Sequence, residues 1–599
     1  MPFVKPWRYA QGILSFTSTR SVAHDDSLAL MLISSQPLLL LAIEDYFRAP
    51  YPETLAALYD AVNAMDLSAL PRLSPMERSI LQATDTRDLF VEKFETLIQQ
   101  NMAAKGEKVP QFDGAESPTV TRQRYGLPRD THEFESIIPY NNIPVPVKIP
   151  TALIPETIGD FSLIQLIQTF STPHTNSPQP FQTLHPHLTT SGSLTHPIVV
   201  LLNALLTQKR IVFLGNGLPS STVAEAVLAA CALASGGLLR GFVRHAFPYT
   251  DLTKIDDLLK VPGFIAGVTN NIFASHAEWW DLLCDLTTGT MKISPKIEAA
   301  PPTEGVAFFQ QGGQGYEKSQ YVPSTNALPS PVGDPTGDNA FIASILQSIG
   351  ERRGENAVRA KFRLWILKFT RQAAAFEELV YGASALVIST PDLGGSPVMS
   401  QTGPSSAFAQ FSDPPDPAVS GYGYVWPSPA EKQRELAANA TRIEGWMKTR
   451  SYYNYIQDLA VYYSYRSVRD VDLQHLHDKL AKLRLGADAA GAVYTAICKS
   501  VVSDAQINQL LVVIVNTSPT IAVGSHNNAG VGAAGGGGLF HIALGLFHPK
   551  VEVREKIAEL LGRVREHDAG RHFWSKLGAF EKAAWERVEG ARRQKEGKM

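Results

Sequence analysis

Gly215 and Gly217 have the spacing in this 599-residue chain that best suits phosphate chemistry. In IVFLGNGLPSSTVAEAVL an apolar run reads as a strand, Gly215-x-Gly217 as a tight turn, and the rest as a helix capped by Thr222 with Glu225 three residues on. Strand, turn and helix start together aim backbone N–H groups and the helix dipole at an anion, the arrangement of a dinucleotide cradle. Here the pattern is incomplete. Ser220 stands where a third glycine belongs, Pro219 removes a donor, and no acid follows about twenty residues on to take a ribose hydroxyl. A nucleotide-binding α/β enzyme using this turn and a turn that only packs a helix on a sheet both remain open, and the residues favour the second.

His174, His185, His187 and His196 invite a metal reading, and His185-Pro-His187 has a spacing that some metal sites use, but no Asp or Glu lies between Asp160 and Glu225 to complete a hydrolytic centre or orient the rings, so they read as loop histidines. Glycine runs are not followed by G-K-[ST], and neither a G-x-S-x-G elbow nor an H-E-x-x-H occurs. The D-x-x-G that starts at Asp392 is a chance match in a loop. No catalytic constellation, metal or cofactor is therefore expected. Cys231, Cys284 and Cys498 are far apart in apolar stretches and read as small buried hydrophobes of a reducing cytosol. Trp279-Trp280 and Tyr452-Tyr453 read as core or interface anchors. The richest polar and aromatic group is RGFVRHAFPYTDLTKIDDLL, with Arg240, Arg244, His245, Tyr249, Asp251, Lys254, Asp256 and Asp257. Mixed charge beside aromatic rings suits a protein interface as well as it suits a solvated helix end.

The elements that must position these residues follow from periodicity. Residues 28–43 are apolar but broken by Ser34, Ser35, Gln36 and Pro37, which fits two short elements and not a membrane span. In PETLAALYDAVNAM, Leu55, Leu58, Tyr59 and Val62 share a helical face, and Ser74, Pro75 and Glu77 form a capping box. Residues 103–129 read as a surface loop. FESIIPYNNIPVPVKIP reads as a hairpin turning at Asn141-Asn142, its prolines marking a sheet edge. A helix capped by Asp160, the helix in HPIVVLLNALLTQ and a buried strand over residues 210–214 open an alternation of helix and strand to about Lys296, an α/β layer structure. Residues 295–338 read as a linker, and 390–429 and 530–538 as loops. The last third is all-helical, with a stripe of Phe362, Trp365, Ile366, Phe369, Phe376 and Leu379, and a HEAT-like unit burying Val553, Ile557, Leu560 and Leu561. A formal net charge of -3 and a pI near 6.6 argue against nucleic-acid binding.

TQKRIVFL, the helix after GNGLPSS, and FPYTDLTKIDDLLKVPGFIAGVTNNIFASHAEWW together resemble the central region of a DENN domain, with VPGFIAGVTN as a hydrophobic turn. PETLAALYDAVNAMDLS, VPVKIPTALIPETIGDFSLIQLIQTFSTPH, HPHLTTSGSLTHPIVVLLNALLTQKRIVFL and AEWWDLLCDLTTG resemble, more narrowly, the fungal group named for stabilisation of the polarity axis. The likeness runs from about Pro37 to Ile297 and continues more loosely through LGLFHP and HDAGRHFW. It implies an atypical N-terminus (1–36) lacking the group's longin-like strands and upstream DENN helices with a loop as a longin-like remnant (37–125). A central DENN α/β domain (126–296), a linker (297–337) and a helical downstream module (338–590) would follow. The resemblance further implies a cytoplasmic protein recruited to the cell cortex or sites of polarised growth. It would dock a small GTPase of the Arf or Rab family, with polarity-complex proteins as further partners and peripheral membrane contact. Its role would be guanine-nucleotide exchange factor or scaffold in vesicle trafficking and exocytosis, without covalent catalysis. Arg240, Arg244, His245, Tyr249, Asp251, Lys254 and Asp256 are the residues expected to face the GTPase.

Overall fold

A computed structural model describes residues 36–48, 52–63, 73–83, 133–150, 161–234, 245–311, 334–387, 418–517 and 537–596, with a few positions in 89–100. The chain divides into two units, Met1–Gly159 and Asp160–Met599.

In the first unit the helices Gln36–Arg48 and Pro52–Asn63 share a core with a hairpin of β1 (Glu133–Tyr140) and β2 (Ile143–Pro150). The strands pair antiparallel with Tyr140 opposite Ile143, and the connecting Asn141 and Asn142 have φ of 48° and 63°. Two consecutive left-handed residues are what a two-residue hairpin turn demands, and asparagine tolerates them. Alternation then puts Ile138, Tyr140, Val145 and Val147 into the core and leaves Pro139, Pro144 and Pro146 outside, so each strand of this two-stranded ribbon is an edge. Asn141 also donates to Asp45 Oδ2 (3.0 Å), tying the turn to the first helix. The stripe assigned to the second helix is corrected at Tyr59, which is exposed, while Leu58, Ala61 and Val62 are buried. Ser74 and Glu77 cap the Pro75–Ala83 helix reciprocally: the Ser74 N–H reaches Glu77 Oε2 (2.8 Å) and the Glu77 N–H reaches Ser74 Oγ (3.3 Å).

The second unit is built around a five-stranded sheet ordered β4-β5-β3-β6-β7. Its strands are β3 (Ile211–Leu214), β4 (Ala246–Phe247), β5 (Ile265–Val268), β6 (Leu282–Asp285) and β7 (Thr290–Ile293). The first four are parallel, and β7 adds an antiparallel edge beside β6. Burial on both faces explains the unbroken apolar run of β3. Ile211 and Phe213 point into one apolar cluster with Ile265, Leu282 and the helices Leu163–Asn176, Pro197–Leu206 and Ser220–Leu233. Val212 and Leu214 point into a second with Ala266, Val268, Leu283, Phe273 and Trp280. The first cluster continues into the helices Glu355–Tyr381 and Pro429–Met447, so sheet and helices share one core. Arg210 locks the start of β3 to that of β6 through its ion pair with Asp281 (2.8 Å).

Several expectations change. VPGFIAGVTN is not a turn: Ile265–Val268 within it is β5, fully buried. Asp160, expected to cap the next helix, lies outside the described residues, and the cap of that helix is Ser162, accepting from the Gln165 N–H (3.2 Å). Glu355 from a distant helix covers the same helix end, accepting from the Leu163 N–H (2.5 Å) and the Ile164 N–H (3.3 Å). A carboxylate there meets both orphan N–H groups and the positive end of the helix dipole. Residues Glu304–Gln311, inside the stretch read as linker, are helical. In the all-helical last third, Arg450–Ser464 and Leu473–Lys482 are separate helices, the second capped by Asp472. In the Glu355–Tyr381 stripe Phe362, Ile366, Phe369 and Phe376 are buried, whereas Leu379 is exposed. Val553, Ile557, Leu560 and Leu561 are buried in the Val551–Glu566 helix. Residues 1–35, 103–129, 390–417 and 530–536, and with them the D-x-x-G at Asp392, lie outside the described residues.

Candidate functional site: the carboxyl edge of the parallel sheet

Strands β3, β5 and β6 end together at Leu214, Val268 and Asp285. An open α/β sheet offers ligands or partners the loops at its carboxyl edge. Three such loops are tied to one another here. Gly215 N–H donates to Val268 O (2.9 Å), Leu286 N–H to Leu214 O (2.9 Å), and Thr287 Oγ1 to Asn216 O (3.1 Å). Asp285 Oδ1 accepts from the Thr287 N–H (2.9 Å) and the Thr288 N–H (3.3 Å), which commits this acid to holding a turn.

Both glycines of the suspected cradle have a geometric explanation. A Cβ on Gly215 would lie 2.4 Å from Val223 Cγ2, so glycine lets the Ser220–Leu233 helix approach the strand. Gly217 has φ of 77°, which completes the turn closed by Leu218 N–H on Gly215 O (3.1 Å). The capping role expected of Thr222 is corrected: the helix starts at Ser220, its cap position is Pro219, and no side chain caps it. Gly267 in β5 is held by the same packing, since a Cβ there would lie 2.2 Å from Pro248 O and 2.7 Å from Val223 Cγ1. Gly267→Ala is expected to cost about 1–3 kcal/mol by forcing backbone apart, read as a lower urea midpoint with an unchanged m value. An unchanged midpoint would mean that the β4–β5 edge is loosely packed.

Of the residues singled out between 240 and 257, those from Tyr249 onward follow β4. Arg240 and Arg244 lie outside the described residues. His245 is half-buried beside β4, and Tyr249 is 48% exposed with its hydroxyl 3.0 Å from Thr269 Oγ1 on the loop after β5. Asp251 has a local structural role. It caps the short turn Leu252–Lys254, accepting from the Thr253 N–H (2.9 Å) and hydroxyl (2.5 Å). Lys254 and Asp256 are exposed, as is Asp257, whose carboxyl is held low by the Lys260 ammonium at 3.0 Å. The segment that follows β4 thus exposes Tyr249 and Leu259 with Lys254, Asp256 and Asp257 between them. Trp279 stacks on His276 (4.0 Å), while Trp280 is buried and donates to Phe273 O (2.8 Å).

His185, His187 and His196 lie in loops as expected, the first two buried and the third capping a helix, whereas His174 lies in the helix Leu163–Asn176. His185 and His187 stand edge to face at 4.9 Å, as His174 and His196 do at 5.1 Å. His185 Nδ1 accepts from the His187 N–H (3.1 Å), which assigns the proton to Nε2 and its hydrogen bond to Glu298 O (3.0 Å). Burial pushes His187 down to about 3 and His196 to about 4, so these rings are neutral structural groups. Among the described residues no group of three or more His, Cys, Asp or Glu is placed to hold a metal. Cys231, Cys284 and Cys498 are buried, and burial drives the Cys498 thiol up to about 12. No helix among the described residues is long and apolar enough to cross a membrane.

What sequence reasoning missed is a buried polar knot. Arg442 Nη1 reaches Asp338 Oδ1 and Oδ2 (both 3.1 Å) and Asn203 Oδ1 (3.0 Å), and Thr190 Oγ1 donates to Asp338 Oδ2 (2.8 Å). Its members are up to 252 positions apart, from Thr190 to Arg442, and no periodic signal marks them.

A family model described as stabilization of polarity axis matches residues 184–295. That segment starts at the His185-Pro-His187 loop and contains all five strands of the sheet together with Tyr249 to Asp257. An AFI1-like protein of Schizosaccharomyces pombe is 28% identical over 551 residues, which is 90% of this chain and 77% of the relative. No solved structure matches. By both comparisons the chain is similar to a polarity-related fungal group.

Proposed function

We propose that this protein is a DENN-type regulator that docks a small GTPase of the Arf or Rab family and serves as exchange factor or scaffold in polarised growth and vesicle traffic. The observation that carries the reading is the overlap between the stabilization of polarity axis match at 184–295 and the exposed carboxyl edge around Tyr249. An edge whose acids hold turns and whose outer groups are mixed charges and a tyrosine suits recognition of a protein. Exchange needs only that it bind the nucleotide-free GTPase more tightly than the loaded form. The same reading puts the protein in the cytoplasm, recruited to the cortex, with polarity-complex proteins as further partners.

The test is capture of purified Arf and Rab GTPases, nucleotide-free and loaded, by the full chain, followed by affinity measurement on whichever binds. Tyr249→Ala, Lys254→Glu and Arg244→Glu are each expected to weaken capture more than about tenfold, on the order of 1.4 kcal/mol, with melts unchanged. The charge variants should matter less as salt rises. Asp251 is unsuitable for this purpose because its loss uncaps a turn. Failure to retain any GTPase would overturn the reading. Binding unaffected by all three variants would move the interface off this edge. Release of labelled GDP from the captured GTPase distinguishes exchange from scaffolding.

A further inference from the structure

A cleft of about 360 Å³ opens to solvent between the helices Asp338–Gly350, Glu355–Tyr381 and Pro429–Met447, away from the sheet edge. Its size falls within the range of small-molecule sites. The apolar wall is aromatic: Phe341 and Trp365 lie 5.6 Å apart, and Trp365 stacks on Phe369 at 5.6 Å with 1° between the planes. Lys361, Lys368 and Arg442 also line it. Two of these cations have a carboxylate of their own, Lys368 with Glu435 (2.5 Å) and Arg442 with Asp338 (3.1 Å). Lys361 does not. Its ammonium donates to the Ser344 carbonyl (2.6 Å) and hydroxyl (2.9 Å), both neutral, and Glu351 acts on it only through space, so among the described residues Lys361 is the lining cation without a salt-bridge partner. Two lining side chains carry donors that lack an acceptor, Gln372 Nε2 and Arg442 Nε, on residues 4% and 1% exposed. Native proteins rarely leave such groups unsatisfied, and where they do an unplaced ligand or water is a usual reason.

We infer that this cleft binds a small organic anion, a planar or aromatic body carrying a single carboxylate, sulfonate or phosphate. The ring lies against Phe341 and Trp365, and the acid group meets Lys361. A flat apolar body gains dispersion and desolvation from the aromatic wall, and the anion supplies the charge that Ser344 cannot.

The probe is anilinonaphthalene sulfonate, titrated into the full chain by fluorescence, with uncharged N-phenylnaphthylamine as the matched neutral dye. The sulfonate is expected to saturate at one site. Lys361→Gln should weaken it about tenfold while leaving the neutral dye unchanged, and Trp365→Leu should weaken both. Thermal melts accompany each variant. Should Trp365→Leu fail to fold, Lys361→Gln carries the result alone, because Lys361 is only half-buried. Non-saturable sulfonate binding, equal response of both dyes to Lys361→Gln, or wild-type affinity in a folded Lys361→Gln protein would each overturn the proposal.

Discussion

Arg442→Met is expected to destabilise the Asp160–Met599 unit by about 3–5 kcal/mol, because it leaves the Asp338 carboxylate charged and shut away from water. Arg442 and Asp338 are each 1% exposed, so solvent does not compensate either partner once the other is gone. The guanidinium does more than neutralise. It bridges Asp338 at the start of one helix to Asn203 within another, donates to Asn439 Oδ1 on its own helix, and lies 5.0 Å over the Trp365 ring. Asn203 in turn donates to Leu188 O (3.0 Å), which links the knot to the loop carrying His185 and His187. Arg442→Lys should recover part of the loss at most, since an ammonium lacks the planar fork that meets Asp338 and Asn203 together. The double variant Arg442→Met with Asp338→Leu is expected to be more stable than either single change. An apolar pair removes the buried charge along with its partner. Urea unfolding of the four proteins gives the coupling. A loss below about 1 kcal/mol for Arg442→Met would mean that water reaches Asp338 and that the knot contributes little.

That knot marks where the sequence stops being legible. The hairpin at Asn141-Asn142 and the Ser74–Glu77 capping box were readable because each is encoded within four residues, by a φ preference in one case and a side-chain length in the other. Strand β3 was readable because a strand covered on both faces is apolar throughout. Strand β5 lies within VPGFIAGVTN, which the DENN resemblance makes a turn, and Pro262, Gly263 and Gly267 dilute the apolar run that would mark a strand. Those glycines answer to neighbours distant in sequence: Gly263 would meet Gln208 O at 2.3 Å and Gly267 would meet Pro248 O at 2.2 Å if either carried a Cβ. The Glu304–Gln311 helix was hidden for a similar reason. Its Gly305 N–H donates to Glu444 Oε1 (2.7 Å) and its glycine admits the Phe376 ring, contacts that no local window contains. In the candidate site, Tyr249, Lys254 and Asp256 are exposed, whereas Asp251 holds a turn. An acid before Leu-Thr-Lys is equally a cap and an interface charge until its hydrogen bonds are known.

Acid is expected to destabilise this protein between about pH 6.5 and pH 5, above the range where its carboxylates titrate. Burial lowers His187 to about 3, and His196 and His477 to about 4, from an ordinary 6.5. Lys209, His185 and Lys448 add repulsion at His187, His174 does so at His196, and His541 and Lys482 do so at His477, where Asp478 and the Gly538 carbonyl oppose it. A histidine whose folded pKa is depressed stays neutral in the native state while the unfolded chain takes up its proton. Its contribution is therefore complete above the unfolded value and is lost as pH falls towards the folded one. Each fully buried ring costs about 1.4 kcal/mol per pH unit in that window, or about 2 kcal/mol by pH 5. His196 is half-buried and counts for less, so the three together amount to several kcal/mol. Urea midpoints measured from pH 7.5 to pH 5 should fall steadily below pH 6.5. His477→Gln should flatten that slope by roughly one proton, because glutamine can still donate to Gly538 O as His477 Nε2 does at 2.7 Å. A midpoint independent of pH across the window would show that these imidazoles protonate in place, which their burial forbids unless the surrounding helices open to water.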